Sequence, residues 1–273
     1  MNLKNVDYHV TDVCNLNCVS CGHFCPLVPK DTKPKDIIQV HKDFKVLYNA
    51  TEQGKYLDQL TLTGGEVTLH PNLKDIINIA VKYFPGKIKI WTNGLKYQWF
   101  IDHQDLIKDN HIIVCMTNYG LKVHKEGIPK MKEIFGDFYS VDRLEDDGKP
   151  WFFRQFFDEH ANVDGDHIFN CQARKECLQL KNQRLYTCQY AAYLGYFKDY
   201  FHLNMRNHPG ISGLGLSIDL NNIDGKINTF KDLDEWRNTA LSSLCTCCID
   251  CVPELKQLQH WKTSDKKLDE WLR

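Results

Sequence analysis

The sequence has no run of about 18 apolar residues, so it offers no candidate for a membrane-spanning helix. Its first residues, Met1 to Tyr8, lack the charged-then-apolar pattern of a signal peptide. Neither sign of charge is in excess: 34 Lys and Arg stand against 35 Asp and Glu, for a formal net charge of −1. That balance leaves no electrostatic footprint for nucleic acid or an anionic membrane. Internal repeats and low-complexity tracts are absent. A phosphate-cradling loop is missing too, since Gly210-Ile211-Ser212-Gly213-Leu214-Gly215 fits neither G-x-G-x-x-G nor G-x4-G-K-[ST] and reads as a plain loop. These absences imply a cytoplasmic protein, and 273 residues suit one large domain plus a smaller one. Oligomeric state has no signature.

Cysteine, by contrast, is plentiful, with twelve in the chain. In a reducing compartment they are better read as metal ligands than as disulfides. Three fall within Cys14-Asn15-Leu16-Asn17-Cys18-Val19-Ser20-Cys21, spaced x3 and then x2. A structural zinc is closed by four protein ligands, and ferredoxin-type clusters take four cysteines. Three thiolates therefore suggest an iron–sulfur cluster with one open iron, able to bind a substrate or cofactor. Cys25-Pro26 imitates the end of the ferredoxin run C-x2-C-x2-C-x3-C-P, but the first spacing here is x3. A zinc ion would need a fourth ligand, with His23 and Cys25 nearest.

Along the chain, strand and helix patterns alternate. A strand over Val6 to Thr11 runs into the cysteine loop, and Pro34 to Tyr48 carries apolar residues at helical spacing. The strand over Leu57 to Leu62 delivers Gly64 and Gly65, which permit a tight turn and close backbone approach to a ligand. Further strands are expected over Lys87 to Thr92, His111 to Met116 and Phe138 to Val141. Helices are expected over Leu73 to Phe84, Tyr97 to Ile107 and His124 to Phe135. The run Arg143 to Pro150 is charged and reads as a surface loop, followed by Trp151 to Phe157 as a last barrel strand. Repeated βα units with apolar strands predict a parallel sheet covered by helices. Asp164-Gly165-Asp166 marks a boundary, giving domains 1–163 and 164–273. In the second, Leu255, Leu258 and Trp261 are at helical spacing, and Ser264 is placed to cap a last turn.

The cysteine loop resembles that of the radical S-adenosylmethionine enzymes. Leu60-Thr61-Leu62-Thr63-Gly64-Gly65-Glu66 is similar to that family's methionine-binding turn, and Trp91-Thr92-Asn93-Gly94 to its Thr-Asn-Gly strand end. The resemblance implies a partial (β/α)6 barrel of the TIM type, with ligands at the carboxyl ends of its strands, where Cys14, Gly64, Thr92 and Thr117 all fall. It implies that Cys14, Cys18 and Cys21 hold a [4Fe–4S] cluster whose open iron chelates S-adenosylmethionine, which is cleaved to a 5′-deoxyadenosyl radical. Gly64, Gly65 and Glu66 would hold the methionine ammonium, while Thr92, Asn93, Thr117 and Asn118 would meet carboxylate and ribose. Two positions depart from the family pattern. Ser20 replaces the aromatic that usually precedes the third cysteine, so Phe24 or His23 is expected to serve the adenine, and Val67 replaces the proline after Gly-Gly-Glu.

Seven of the twelve cysteines lie between Cys171 and Cys251. A hairpin with Cys177 and Cys188 at its ends, plus Cys248-Ile249-Asp250-Cys251, resembles the twitch or abbreviated SPASM region of the same enzymes. That likeness implies a second [4Fe–4S] cluster on Cys177, Cys188, Cys248 and Cys251, with Cys245 and Cys171 the first substitutes. A zinc knuckle would use the same residue types. Cys115, on an apolar strand, reads as a small hydrophobe.

The implied substrate is a polar small molecule of the sugar or aminocyclitol kind, undergoing oxidation, dehydration or epimerisation. The implied electron donor is a flavodoxin- or ferredoxin-type reductant. Peptide modification is the runner-up, disfavoured because Tyr8 already lies in the first strand and leaves no room ahead of it for a leader-recognition domain. A non-enzymatic electron carrier or zinc module is the alternative of another class.

Overall fold

The computed structural model describes residues 2–142, 151–204, 206–208, 216–221, 229–240, 243–255 and 257–273. The expected loops at 143–150 and 210–215 lie outside these. The first half alternates as the sequence predicts: β1 (Val6–Thr11), α1 (Ile37–Ala50), β2 (Leu60–Gly64), α2 (Leu73–Tyr83), β3 (Ile88–Thr92), α3 (Gln98–Asp102), α4 (Gln104–Asp109), β4 (Ile113–Thr117), α5 (Lys122–Phe135) and β5 (Tyr139–Asp142). Helix α1 starts at Ile37 rather than Pro34 because the Asp36 side chain caps it, accepting from the Ile38 N–H at 2.7 Å. The helix expected over 97–107 is broken at His103 into α3 and α4.

The second half contributes β6 (Trp151–Arg154), α6 (Gly165–Asn170), α7 (Gln172–Glu176), β7 (Leu178–Lys181), β8 (Arg184–Tyr186), α8 (Gln189–Tyr200), β9 (Ser217–Asp219), α9 (Phe230–Thr239), α10 (Ser243–Cys247) and β10 (Gln257–His260). The expected hairpin is β7–β8, and β7 pairs parallel with β1, Val6 opposite Leu178. The main sheet therefore runs β5-β4-β3-β2-β1-β7-β8-β9, parallel from β5 to β7. It is open among the described residues, which makes the fold an α/β partial barrel.

Strand parity divides this sheet into two chemistries. Val6, Tyr8, Val10, Leu60, Leu62, Ile88, Ile90, Val114 and Met116 pack with α1, α2 and α5 in one buried core. Each large apolar side chain so buried contributes roughly 1.5–3 kcal/mol. The opposite face is mostly polar. In one transverse row stand Gln179, Asp7, Thr61, Lys89 and Ile113. One step along, His9 faces Thr63, and Trp91, Cys115 and Ser140 share a register. Packed barrels fill these layers with branched apolar side chains.

Two expectations fail. The segment beginning at Trp151 is not a barrel strand: β6 pairs antiparallel with β10 in a separate two-stranded sheet. Consequently the C-terminal helix expected around Leu255, Leu258 and Trp261 is absent, because Gln257–His260 forms the partner strand and leaves Leu258 exposed. A second core, built around Phe24, Phe157, Tyr193, Phe197 and Trp271, joins α8 and the C-terminus to the segment after the cysteine loop.

Candidate metal centre

The cysteine loop leaves the end of β1 and is laced to the two other motifs. Gly65 N–H donates to the Thr11 carbonyl at 2.8 Å, and Glu66 N–H to that of Val13 at 2.9 Å. This closeness requires glycine. Gly64 has φ +145°, and a Cβ there would stand 2.1 Å from the Thr11 oxygen; a Cβ on Gly65 would stand 2.1 Å from the Val13 oxygen.

Glu66 is fully buried and braces the strand ends rather than opening to the mouth. One carboxylate oxygen accepts from the Thr68 N–H, the Thr68 hydroxyl and the Thr92 hydroxyl, and the other accepts from the Asn93 N–H at 2.7 Å. Asn93 in turn donates to Asn15 at 2.7 Å and to the Cys14 sulfur at 3.7 Å. Its carbonyl is 2.8 Å from His124, a brace the sequence reading missed. Thr117 accepts from the Trp91 indole, and Asn118 turns the next loop by accepting from Gly120 N–H. The Gly-Gly-Glu turn and Asn93 thus meet the cysteine loop directly.

Cys14, Cys18 and Cys21 are all partly buried. Burial pushes the Cys14 thiol up and raises Cys18 to about 12. Cys21 falls to about 7, first because the Cys25 thiol donates to it. Loading metal on the first two must release protons. Donors already point at these sulfurs: the Trp261 indole N–H is 3.1 Å from Cys18, and the Leu16 N–H is 3.4 Å from Cys14. Three neighbouring thiols with N–H donors fit a cluster of the expected kind. Among the described residues, no three His, Cys, Asp or Glu side chains close on a point that a single ion could occupy.

Phe24 corrects an expectation. Its backbone is left-handed, at φ +56°, which turns the ring into the second core against Phe157, Tyr190 and Phe197, fully buried and without a face for adenine. His23 also turns inward, to His9, and burial pushes it down to about 3. His9 is stacked on Tyr193 at 3.6 Å and bonded to Asp12 at 2.7 Å, while the Tyr196 hydroxyl donates to Asp12 at 2.6 Å.

A second cysteine set surrounds a cavity lined by Cys171, Cys188, Cys245 and Cys248 together with Arg174 and Tyr190. Cys177 is not on that lining. It precedes β7 with the parity of Gln179 and faces the polar row, where burial and Asp7 push its thiol up to about 12. The Cys251 side chain lies outside those described. Cys188 is pushed up to about 12 by burial, with Cys171 and Cys245 adding to the effect. Arg174 is buried beside them; its Nε and Nη2 donate to the Arg237 carbonyl, and its Nη1 has no hydrogen-bond partner. A buried guanidinium nitrogen without an acceptor fits an anionic group in that cavity. Cys115 is buried, as expected, but its sulfur neighbours Ser140 and Lys89 on the polar face.

No family model matches the chain. The GTP 3′,8-cyclase of Chlorobaculum tepidum is 33% identical over 97 residues, covering 34% of this chain and 27% of the cyclase, so the chain spans little more than a quarter of that relative. Among solved structures, BtrN in complex with AdoMet and 2-DOIA superposes with a TM-score of 0.51 at 15% identity, over 91% of this chain and 94% of BtrN. BtrN in an open conformation gives 0.42 at 16% identity, over 78% and 90%. The chain thus shares its fold with BtrN, is similar in sequence to the cyclase over 97 residues, and carries its three motifs laced together after parallel strands.

Proposed function

We propose that the protein abstracts hydrogen from a polar small molecule of the sugar or aminocyclitol kind, held against the polar face of its sheet. The observation that carries this reading is the pair of polar rows. Asp7 is held by Asn5 at 2.6 Å and by Gln179 at 2.8 Å. Lys89 lies 4.6 Å from the centre of the Trp91 ring. Two fully buried polar atoms nearby, Gln179 Oε1 and the Tyr193 hydroxyl, have no hydrogen-bond partner. Polar side chains in layers that a closed barrel fills with aliphatics are costly unless something polar satisfies them, as a ligand bearing hydroxyl or amino groups would.

Cys14, Cys18 and Cys21 would hold the first [4Fe–4S] cluster, which with S-adenosylmethionine on its open iron supplies the 5′-deoxyadenosyl radical. The backbone at Gly64 and Gly65 would meet the methionine end, and Glu66 would act by fixing Asn93. Thr92, Thr117 and Asn118 stand at neighbouring strand ends for carboxylate and ribose. A second [4Fe–4S] cluster would sit on Cys171, Cys188, Cys245 and Cys248, in a twitch-like region formed by 164–273, with Arg174 beside it. Electrons would come from a flavodoxin- or ferredoxin-type protein in the cytoplasm.

The test is anaerobic reconstitution with reductant and S-adenosylmethionine, followed by measurement of 5′-deoxyadenosine. Yield above that of the Cys14→Ala variant is expected, rising further with aminocyclitols or sugars. No yield above that variant, with iron and sulfide intact, would refute the enzymatic reading. Stimulation by peptides alone would transfer the proposal to peptide modification.

A further inference from the structure

The C-terminal segment, some 240 residues away in sequence, lies along the cysteine loop. Val19 N–H donates to the Lys262 carbonyl, Ser264 N–H to that of Asn17, and the Trp271 indole to that of Cys21 at 3.0 Å. Cys18 and Thr263 form an isolated antiparallel bridge. This backbone pairing places the Trp261 indole N–H 3.1 Å from the Cys18 sulfur, and the Tyr119 hydroxyl also bonds to that sulfur. The two rings meet edge to face, with centroids 5.9 Å apart, and Phe152 stacks on Tyr119 with centroids 5.2 Å apart. Both donors therefore belong to one aromatic cluster that includes Phe152. Ordinary anchoring of this segment would not need a donor aimed at a thiol proposed above as a cluster ligand.

We infer that Trp261, with Tyr119, is a positioning residue for the first cluster, donating to the Cys18 thiolate and raising the reduction potential of that cluster. A hydrogen bond to a ligating sulfur withdraws electron density and favours the reduced, more negative state. The inference rests on the cluster reading of Cys14, Cys18 and Cys21, and the experiment separates the two.

Trp261→Phe keeps an aromatic ring and the backbone pairing but removes the N–H. In the reconstituted full chain, the reduced-cluster EPR signal that changes on adding S-adenosylmethionine is followed through a redox titration. The expected result is unchanged iron and sulfide content with a midpoint shifted to more negative potential. Tyr119→Phe should shift it in the same direction, and the double variant further. Should Trp261→Phe fail to load, Tyr119→Phe carries the test, because its hydroxyl takes no part in the backbone pairing. An intact cluster with wild-type midpoint in the variants that load overturns the inference. No S-adenosylmethionine-sensitive cluster in the wild-type chain overturns the cluster reading instead.

Discussion

Replacing Gly65 by alanine should separate the Gly-Gly-Glu turn from the cysteine loop. The added carbon would lie 2.1 Å from the Val13 oxygen, 2.3 Å from its carbonyl carbon and 2.8 Å from the Cys14 nitrogen. These are backbone atoms, so no rotamer change relieves the clash, and the two segments must part by about 1.4 Å to reach the ordinary contact distance of about 3.5 Å. Parting breaks the hydrogen bonds from Gly65 to Thr11 and from Glu66 to Val13, at about 1 kcal/mol each. Overpacking of this kind adds about 1–3 kcal/mol, so the expected loss is about 3–5 kcal/mol. Domains are stable by about 5–15 kcal/mol, so the variant should still fold but load iron poorly at the first site. Urea unfolding of the apo chain, with iron and sulfide analysis after reconstitution, measures both. Gly195→Ala is the internal control: nothing lies within 4 Å of the carbon that alanine would add at this exposed position of α8, and the substitution should stabilise by about 0.5–1 kcal/mol. A Gly65→Ala protein within 1 kcal/mol of wild type and with full iron would refute the reasoning.

The second site distinguishes its ligands. With Cys14, Cys18 and Cys21 replaced by alanine, about four irons should remain bound, be lost on further change of Cys171 or Cys245, and survive Cys177→Ala. Zinc in their place would count against a cluster. Glu66→Gln puts one oxygen where two carboxylate oxygens accept four donors; the threonine hydroxyls can turn, but a backbone N–H cannot, so urea unfolding should show a loss of about 1–3 kcal/mol. Burial raises the Asp7 carboxyl from 3.8 to about 6, so between those values the unfolded chain gives up a proton that the folded chain keeps. Stability from this group is therefore full below pH 4, falls as pH rises to about 6, and is flat above, by at most about 3 kcal/mol. The difference between wild type and Asp7→Asn, followed by urea unfolding from pH 4 to 7.5, should fall along that course, and a flat difference would contradict the burial argument.

What could be read from the sequence was local. The x3 and x2 spacing, the glycine pair and Thr92-Asn93-Gly94 each occupy a few consecutive residues, and the structure joins the cysteine loop to Gly65, Glu66 and Asn93. Strand parity was legible for the same reason, since Ile88 and Ile90 alternate with Lys89 and Trp91. Pairing between distant segments was not. Gln257–His260 is four residues long and is a strand only because Trp151–Arg154 lies beside it. In isolation the i, i+3 spacing of Leu255, Leu258 and Trp261 favours a helix. Choosing Cys177 followed from its symmetry with Cys188 about the hairpin, but β7 aims it at Asp7, while Cys171, before α7, reaches the cavity. Phe24 was misjudged because its left-handed backbone has no sequence signature for a phenylalanine.

The cysteine loop has almost no hydrogen bonds of its own to define it, and its order comes from outside. On one side Thr11, Val13 and Asn15 are fixed by Gly65, Glu66 and Asn93; on the other Asn17, Val19 and Cys21 are fixed by Ser264, Lys262 and Trp271. The first stretch, 11 to 15, is thus held by the first half of the chain and the second, 17 to 21, by its C-terminal segment. β1, from which the loop springs, is clamped in the same way, between β2 and β7. A loop anchored at this density holds its thiols near one another before metal arrives, so less ordering opposes cluster assembly than where the metal itself must fold the site. The residues after 163 thus support the proposed first site as much as the proposed second, because without β7 and the C-terminal segment one side of β1 and one side of its loop would lose the partners they have here.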